Sequence, residues 1–226
     1  MTTVAIHQPD FLPYLGFFKK MQSCDIFLLY DNAQFSKNGY HNRNRIKTPQ
    51  GKAWITVPVN SPQLRPILSV GIDNARQWGR RVVETLQANY SRAPYFDSFA
   101  SLFEHVFVLS SWEKLVDLNI RLLDLIQEAL GLEVKIIRTS SLPEPDSANA
   151  TGRLIEMTRA VGGNKYLSGS GGVAYLDQSE FRDVALEFVV PPKSSYRQEW
   201  GGFVPDLSIV DALFNCGGEA RNLLLT

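Results

Sequence analysis

Val4-Ala5-Ile6-His7-Gln8-Pro9, followed by Asp25-Ile26-Phe27-Leu28-Leu29-Tyr30-Asp31, decides the fold class of this chain. The first run is apolar and stops at His7-Gln8-Pro9, so it reads as a buried strand entering a loop. The second reads as another buried strand, ended by Asp31. Between them Pro9 and Pro13 break regular structure, and residues 14–21 carry apolar side chains at helical spacing. Strand, loop, helix and strand in about 28 residues make a βαβ unit, and such units cross right-handed into a parallel sheet.

Outward from this head, residues 32–52 read as irregular and polar, and Ala53 to Val59 as a third strand ended at Pro58. Pro62 and Pro66 mark a loop before a short Val70–Ile72 strand. Asn74 can cap a helix running to about Asn89, with Trp78, Val82, Val83 and Leu86 inward. Two more helices follow, roughly Ala93 to Phe107 and Ser111 to Leu130, the second stopped by Gly131. The block 74–130 is therefore expected to be helical and to carry no site residue. Val134 to Arg138 returns to strand, Gly152 to Val161 to helix, Lys165 to Leu167 and Val184 to Val190 to strand. Ser208 caps a last helix through Phe214. The expectation is one α/β domain over 1–226, with a mostly parallel sheet, flanking helices and a contiguous helical block.

With 23 basic and 23 acidic residues and 44% hydrophobic residues, the chain reads as a packed globular protein. Electroneutrality argues against wrapping DNA, and no run reaches the ~18 apolar residues of a membrane span. No signal-type apolar region follows Met1, and Cys24 and Cys216 have no metal or redox spacing. A cytoplasmic location follows as an expectation. Histidines at 7, 41 and 105 have no zinc-type spacing, so no metal ligand is assigned.

Charge is nonetheless segregated. From Asn32 to Ile72 there is no Asp or Glu, but Lys37, Arg43, Arg45, Lys47, Lys52 and Arg65 are present, with His41 among them. Guanidinium forks and the amides of Asn42 and Asn44 suit phosphate or carboxylate recognition; a solvated basic loop is the alternative. His7 and Gln8 stand at the carboxyl end of the first strand, where open parallel sheets bind ligands. His7 can serve as acid or base, with Asp31 at the end of the next strand as its orienter. Tyr166-Leu167-Ser168-Gly169-Ser170-Gly171-Gly172 can offer backbone N–H groups to an anion, or be a plain tight turn. It is neither a Walker A loop nor a dinucleotide fingerprint. Tyr196 and Gln198 suit a lining role. Asp211, three residues after Ser208, fits a capping box as well as a ligand contact.

The order of these pieces resembles the WbqC-like family. The resemblance rests on His7-Gln8-Pro9, Leu12-Pro13-Tyr14-Leu15-Gly16-Phe17-Phe18-Lys19-Lys20, Gln34-Phe35 and Asn42-Arg43-Asn44-Arg45-Ile46-Lys47. It continues through Thr56-Val57-Pro58-Val59, Tyr166-Leu167-Ser168-Gly169, Tyr196-Arg197-Gln198 and the 207–217 segment. Pro13-Tyr14 stands where many members have Pro-Trp. The resemblance implies a place among bacterial surface-polysaccharide (O-antigen, lipopolysaccharide) functions. Combined with the site, the expectation is a transferase acting on a nucleotide-activated or phosphorylated sugar, acylating or aminoacylating an amino-sugar. On this reading His7 is the acid/base, Asp31 its orienter, and Arg43, Arg45 and Lys47 the anion clamp. No cofactor is obligatory, although ATP, or Mg²⁺ carried on a substrate phosphate, is compatible with it. The head also looks like the front of the HIGH-type nucleotidyltransferase fold, without its second histidine, which keeps an ATP-using adenylyl- or nucleotidyltransferase in view. A non-catalytic module binding a sugar nucleotide or a charged RNA end is the third reading. The expected partner is thus a small anionic molecule, and oligomeric state is left open.

Overall fold

The computed structural model describes residues 1–60 and 65–225; Pro62, read as a loop marker, lies outside them. The head folds as expected: β1 (Thr3–His7) and β2 (Ile26–Leu29) are adjacent parallel strands joined by α1 (Leu15–Gln22). Val4 and Ile6 are buried toward one face and Ala5 toward the other, as a strand covered on both sides requires.

Residues 32–52 are not wholly irregular. Arg43–Thr48 (β3) pairs antiparallel with Gly51–Thr56 (β4) as a hairpin. Its turn runs through Pro49 and Gln50 into Gly51, whose φ of +105° favours glycine. Polar residues disguised the strand: Asn44, Ile46 and Lys47 are its buried positions, and only one of them is apolar. Val59–Asn60 (β5) and Gly71–Ile72 (β6) form a small ribbon.

The helical block comprises α2 (Trp78–Tyr90), α3 (Phe96–Glu104), which runs on through a wider turn at His105–Leu109, and α4 (Leu115–Leu130). Gly79 lets α2 meet that turn, because a Cβ there would lie 1.7 Å from the Phe107 carbonyl oxygen. Gly131 ends α4 in the left-handed conformation. Then come β7 (Lys135–Arg138), α5 (Ala150–Ala160), β8 (Lys165–Ser168), β9 (Ala185–Phe188) and α6 (Ile209–Cys216). As expected, Ser208 caps α6, accepting from Val210 N, and its hydroxyl also donates to Leu12 O at 2.8 Å.

The main sheet has the order β7-β2-β1-β8-β9, and all its pairs are parallel. The chain moves outward from β1 through β2 to β7, then returns to β8 on the other side of β1. This reversal is the switch point at which doubly wound sheets bind ligands. One face carries the larger core of α1, the hairpin, the helical block and α6; the other is covered by Leu154, Ile155 and Met157 of α5. No described helix is long and apolar enough to cross a membrane.

A buried knot holds the 196–206 segment against the larger core. The Asp211 carboxylate, fully buried, accepts from Tyr90 Oη, Tyr196 Oη and Gln198 Nε2, each at 2.8 Å. Tyr90 Oη in turn accepts from Lys47 N, and Lys47 Nζ donates to the carbonyls of Gly201 and Gly202. Removing the carboxylate takes the acceptor from the Tyr90 and Tyr196 hydroxyls and from one Gln198 amide hydrogen, a change of about 3–5 kcal/mol. Asp211→Ala is therefore expected to lower the melting temperature by on the order of 10 °C. A thermal melt within a degree or so of wild type would show that the knot does not hold the fold.

Candidate active site at the sheet crossover

Where β1 and β8 part, a cavity of about 630 Å³ opens beyond their carboxyl ends. β8 pairs with β1 only as far as Ala5, and the next β1 carbonyl, Ile6 O, accepts from Lys20 Nζ at 2.6 Å. The expected residues His7, Gln8, Tyr166, Ser168 and Gly169 all line this cavity. The glycine run forms a short helical turn, Ser170–Ala174, along its rim. A Cβ added at Gly169 or Gly171 would meet nothing within 4 Å, whereas one at Gly172 would lie 2.0 Å from Ser168 Oγ. Packing thus requires Gly172, while Gly169 and Gly171 leave open space above the backbone. The start of α5 contributes Ala148, Ala150 and Arg153, so a helix N-terminus adds its positive end.

His7 keeps 29% side-chain exposure, stacks edge-on against Phe17 at 4.7 Å and contacts the Gln8 carbonyl through Nδ1 at 3.0 Å. A carbonyl only accepts, so in the neutral ring Nδ1 carries the proton and Nε2 is left with its lone pair. Burial and the nearby Lys20 charge pull the His7 pKa down to about 3, against the Gln8 contact that favours the charged form. Burial also lowers Lys20, to about 8.

His41 does not line the cavity; it stands behind Gln8. Its Nδ1 accepts from Ser36 N at 3.1 Å, so the proton is on Nε2, which donates to Gln8 Oε1 at 3.0 Å. Gln8 thereby keeps its two amide hydrogens for other partners. Burial lowers His41 to about 4. Between the two histidines lies Asp10, 3.9 Å from His7 Nδ1 and 4.0 Å from His41 Nε2, and burial raises its carboxyl to about 7.

Asp10 takes the place expected of Asp31. Asp31 accepts instead from Arg138 Nε (2.7 Å), Ser140 N (2.9 Å), Ser140 Oγ (2.7 Å) and Thr139 Oγ1 (3.2 Å). Burial alone would raise it, but the bonds from Ser140 and Arg138 hold it below the usual carboxylate range. It fastens β2 to the turn after β7.

The basic segment is likewise separate from the cavity. Asn42 Nδ2 donates to Val57 O, and Asn44 Nδ2 donates to Phe11 O and Leu12 O; the second contact fixes Leu12 at its left-handed φ of +45°. Lys47, Gln198 and Asp211 belong to the buried knot. Tyr196 also lines a smaller cavity of about 140 Å³ that shares Tyr14 with the larger one. Lys37 is exposed, and Arg43 and Arg45 lie over the outer face of the hairpin. The helical block does touch the site's support: Asn119 in α4 donates to Pro9 O and His41 O, both at 2.8 Å.

Sequence reading missed Lys20, Tyr30, Arg153 and Tyr175 of the lining and Asp10 behind it. Asp10 follows His7 by three residues, and that spacing was its one local signal. Arg153 is held by Glu144 at 2.6 Å and by Tyr30 Oη at 3.4 Å. Among the described residues no group of three His, Cys, Asp or Glu side chains is placed to hold a metal ion. Cys24 and Cys216 are free, and burial pushes the Cys24 thiol up to about 12.

The WbqC-like protein family model matches residues 8–223. The uncharacterized protein Rv1507c of Mycobacterium tuberculosis is 34% identical over 232 residues, spanning 99% of this chain and 98% of its own. No solved structure matches the chain.

An unfolded histidine titrates near 6.5, whereas the fold holds His7 at about 3 and His41 at about 4. Between roughly pH 4 and 6.5 these two sites bind more protons in the unfolded chain, so they make stability rise with pH. Asp10 opposes them, since its folded carboxyl keeps a proton that the unfolded one releases. Burial raises the Asp124 and Asp211 carboxyls in the same sense as Asp10, while the lowered Asp31 adds to the rise at the acid end. Substitution isolates the histidine part: in urea unfolding, the change in stability from about pH 4.5 to about pH 6.5 is expected to be less positive in His41→Gln than in wild type. The same change in both proteins would mean that His41 is not held neutral.

Proposed function

The chain belongs to the WbqC-like protein family, and from that premise we propose that it is a transferase acting on a phosphorylated or nucleotide-activated sugar in bacterial surface-polysaccharide biosynthesis. The observation that carries this reading is the meeting of a neutral, half-buried His7 with the open glycine run inside one cavity at the sheet's switch point. The anion clamp moves with it. Backbone N–H groups of Gly169–Gly171, the start of α5 and the Lys20 and Arg153 charges suit a phosphate.

In the reaction, the sugar's hydroxyl or amine would attack the transferred acyl group while His7 Nε2 takes its proton. The bond to the leaving group breaks and its electron pair departs with that group. The imidazolium so formed is held by the Gln8 carbonyl and by Asp10, which stabilises it once ionised. Ionisation of Asp10 near neutrality strengthens His7 as a base.

The test is calorimetry and turnover with a panel of phosphorylated and nucleotide-activated sugars. His7→Ala should cut kcat by about 10²–10⁴ while leaving binding largely intact. Gly171→Val fills the open space and should weaken binding about tenfold or more, a loss of roughly 1.4 kcal/mol, with an unchanged melt. Full turnover in His7→Ala would remove the base from the mechanism.

The strand order, with a histidine ending the first strand, also favours the adenylyl- or nucleotidyltransferase reading. Pyrophosphate release from ATP or CTP on mixing with the sugar would select that chemistry. Binding without turnover of any pair would select the non-catalytic reading.

A further inference from the structure

The outer face of the hairpin carries a charged aromatic surface that the cavity does not use. Trp54 and Tyr40 are 45% and 40% exposed, with ring centroids 5.7 Å apart. The Arg43 guanidinium lies 4.2 Å from the Trp54 centroid, and that of Arg45, opposite Trp54 in the hairpin register, lies 5.8 Å from it. Hairpins do stabilise themselves with such stacks, but this one leaves its cations unbalanced. Among the described residues neither arginine has a carboxylate within 4.0 Å; each reaches one backbone carbonyl, of Asn38 and of Asp206. The Nε of each is buried with no hydrogen-bond partner. Beside Trp54 a groove of about 240 Å³ opens, with Arg81 of α2 along its bank.

Part-exposed aromatic rings beside guanidinium groups that have no carboxylate partner match a ligand that has a flat ring and a phosphate. The platform is linked to the cavity wall along the chain: the residue after Tyr40 is His41, bonded to Gln8 of that wall. We infer that Tyr40, Arg43, Arg45 and Trp54 form a second binding site for a nucleoside phosphate, the handle carried by the activated donor whose group is transferred at His7. This rests on the transferase reading for the handle's purpose, but not for the binding itself. Activated acyl donors of several kinds carry such a handle, so the base stacks on the aromatic surface and the phosphate takes the arginine forks.

The experiment is calorimetry on the full chain with AMP, ADP, ribose 5-phosphate and a short single-stranded RNA, alongside thermal melts. AMP or ADP should bind, and ribose 5-phosphate, lacking the base, should bind at least about tenfold more weakly. Trp54→Ala should weaken AMP binding about tenfold, Trp54→Phe should keep most of it, and Gly171→Val, which blocks the other cavity, should leave it unchanged. RNA binding tighter than AMP would assign the handle to a nucleic-acid end, and equal affinities would assign it to a small molecule; both support the site. The inference is overturned if AMP and ADP do not bind, if ribose 5-phosphate binds as well as AMP, or if Trp54→Ala binds like wild type. Loss of AMP binding in Gly171→Val alone would place the nucleotide in the His7 cavity and overturn it too. Failure of sugar turnover with AMP binding intact would count against the transferase reading and not against this site.

Discussion

Strand β1 is hydrogen-bonded on both edges, to β2 on the side where the chain first moves outward and to β8 on the side to which it returns. That double pairing fixes where His7 stands. The two neighbours' connections leave in opposite directions, so nothing covers the end of β1, and the crevice between them becomes the cavity. The α1 helix backs it from one face and α5 from the other, which is why Phe17 meets the His7 ring while the α5 start meets the glycine run. Shifting the β1–β8 register by one residue would turn His7 to the other face and separate it from Phe17.

Much of the polar sequence around this centre serves the backbone and not a ligand. Segments 9–13, 38–42 and 196–206 are irregular, and carbonyls in and beside them take side-chain donors in place of a strand or helix partner. Asn44 supplies Phe11 and Leu12, Asn119 supplies Pro9 and His41, Lys20 supplies Ile6, and Lys47 supplies Gly201 and Gly202. Each bond contributes only about 0.5–1.5 kcal/mol net, but a carbonyl left bare inside would cost more. Gln8 shows how this support reaches the site: the imidazole of His41, set by Ser36 N, orients an amide in the cavity wall.

The central βαβ unit was legible because its signal is local: two short apolar runs, two prolines and a helical period. The helical block was legible for the same reason, with Gly131 as its stop. Strand β3 was not, since its inward Asn44 and Lys47 look like loop residues until their distant partners are known. The same blindness affected the site. Asp31 and the 43–47 cations looked available because their partners, Arg138, Ser140, Tyr40 and Trp54, lie elsewhere in the sequence or lack charge. Asp10 was overlooked because a carboxyl gains its character from burial, which composition does not report. His7, Gln8 and the glycine run were found because strand ends and glycine clusters mark sites by position.

The proposed chemistry turns on the state of one ring: His7 is neutral, protonated on Nδ1, with Nε2 open as a base. Long-range ¹H–¹⁵N NMR of the labelled protein reads that state directly, with His7→Gln assigning the signals. The prediction is an Nδ1-protonated, uncharged His7 ring at about pH 6, below the ordinary histidine midpoint near 6.5. An imidazolium at that pH, or a neutral ring protonated on Nε2, would contradict it.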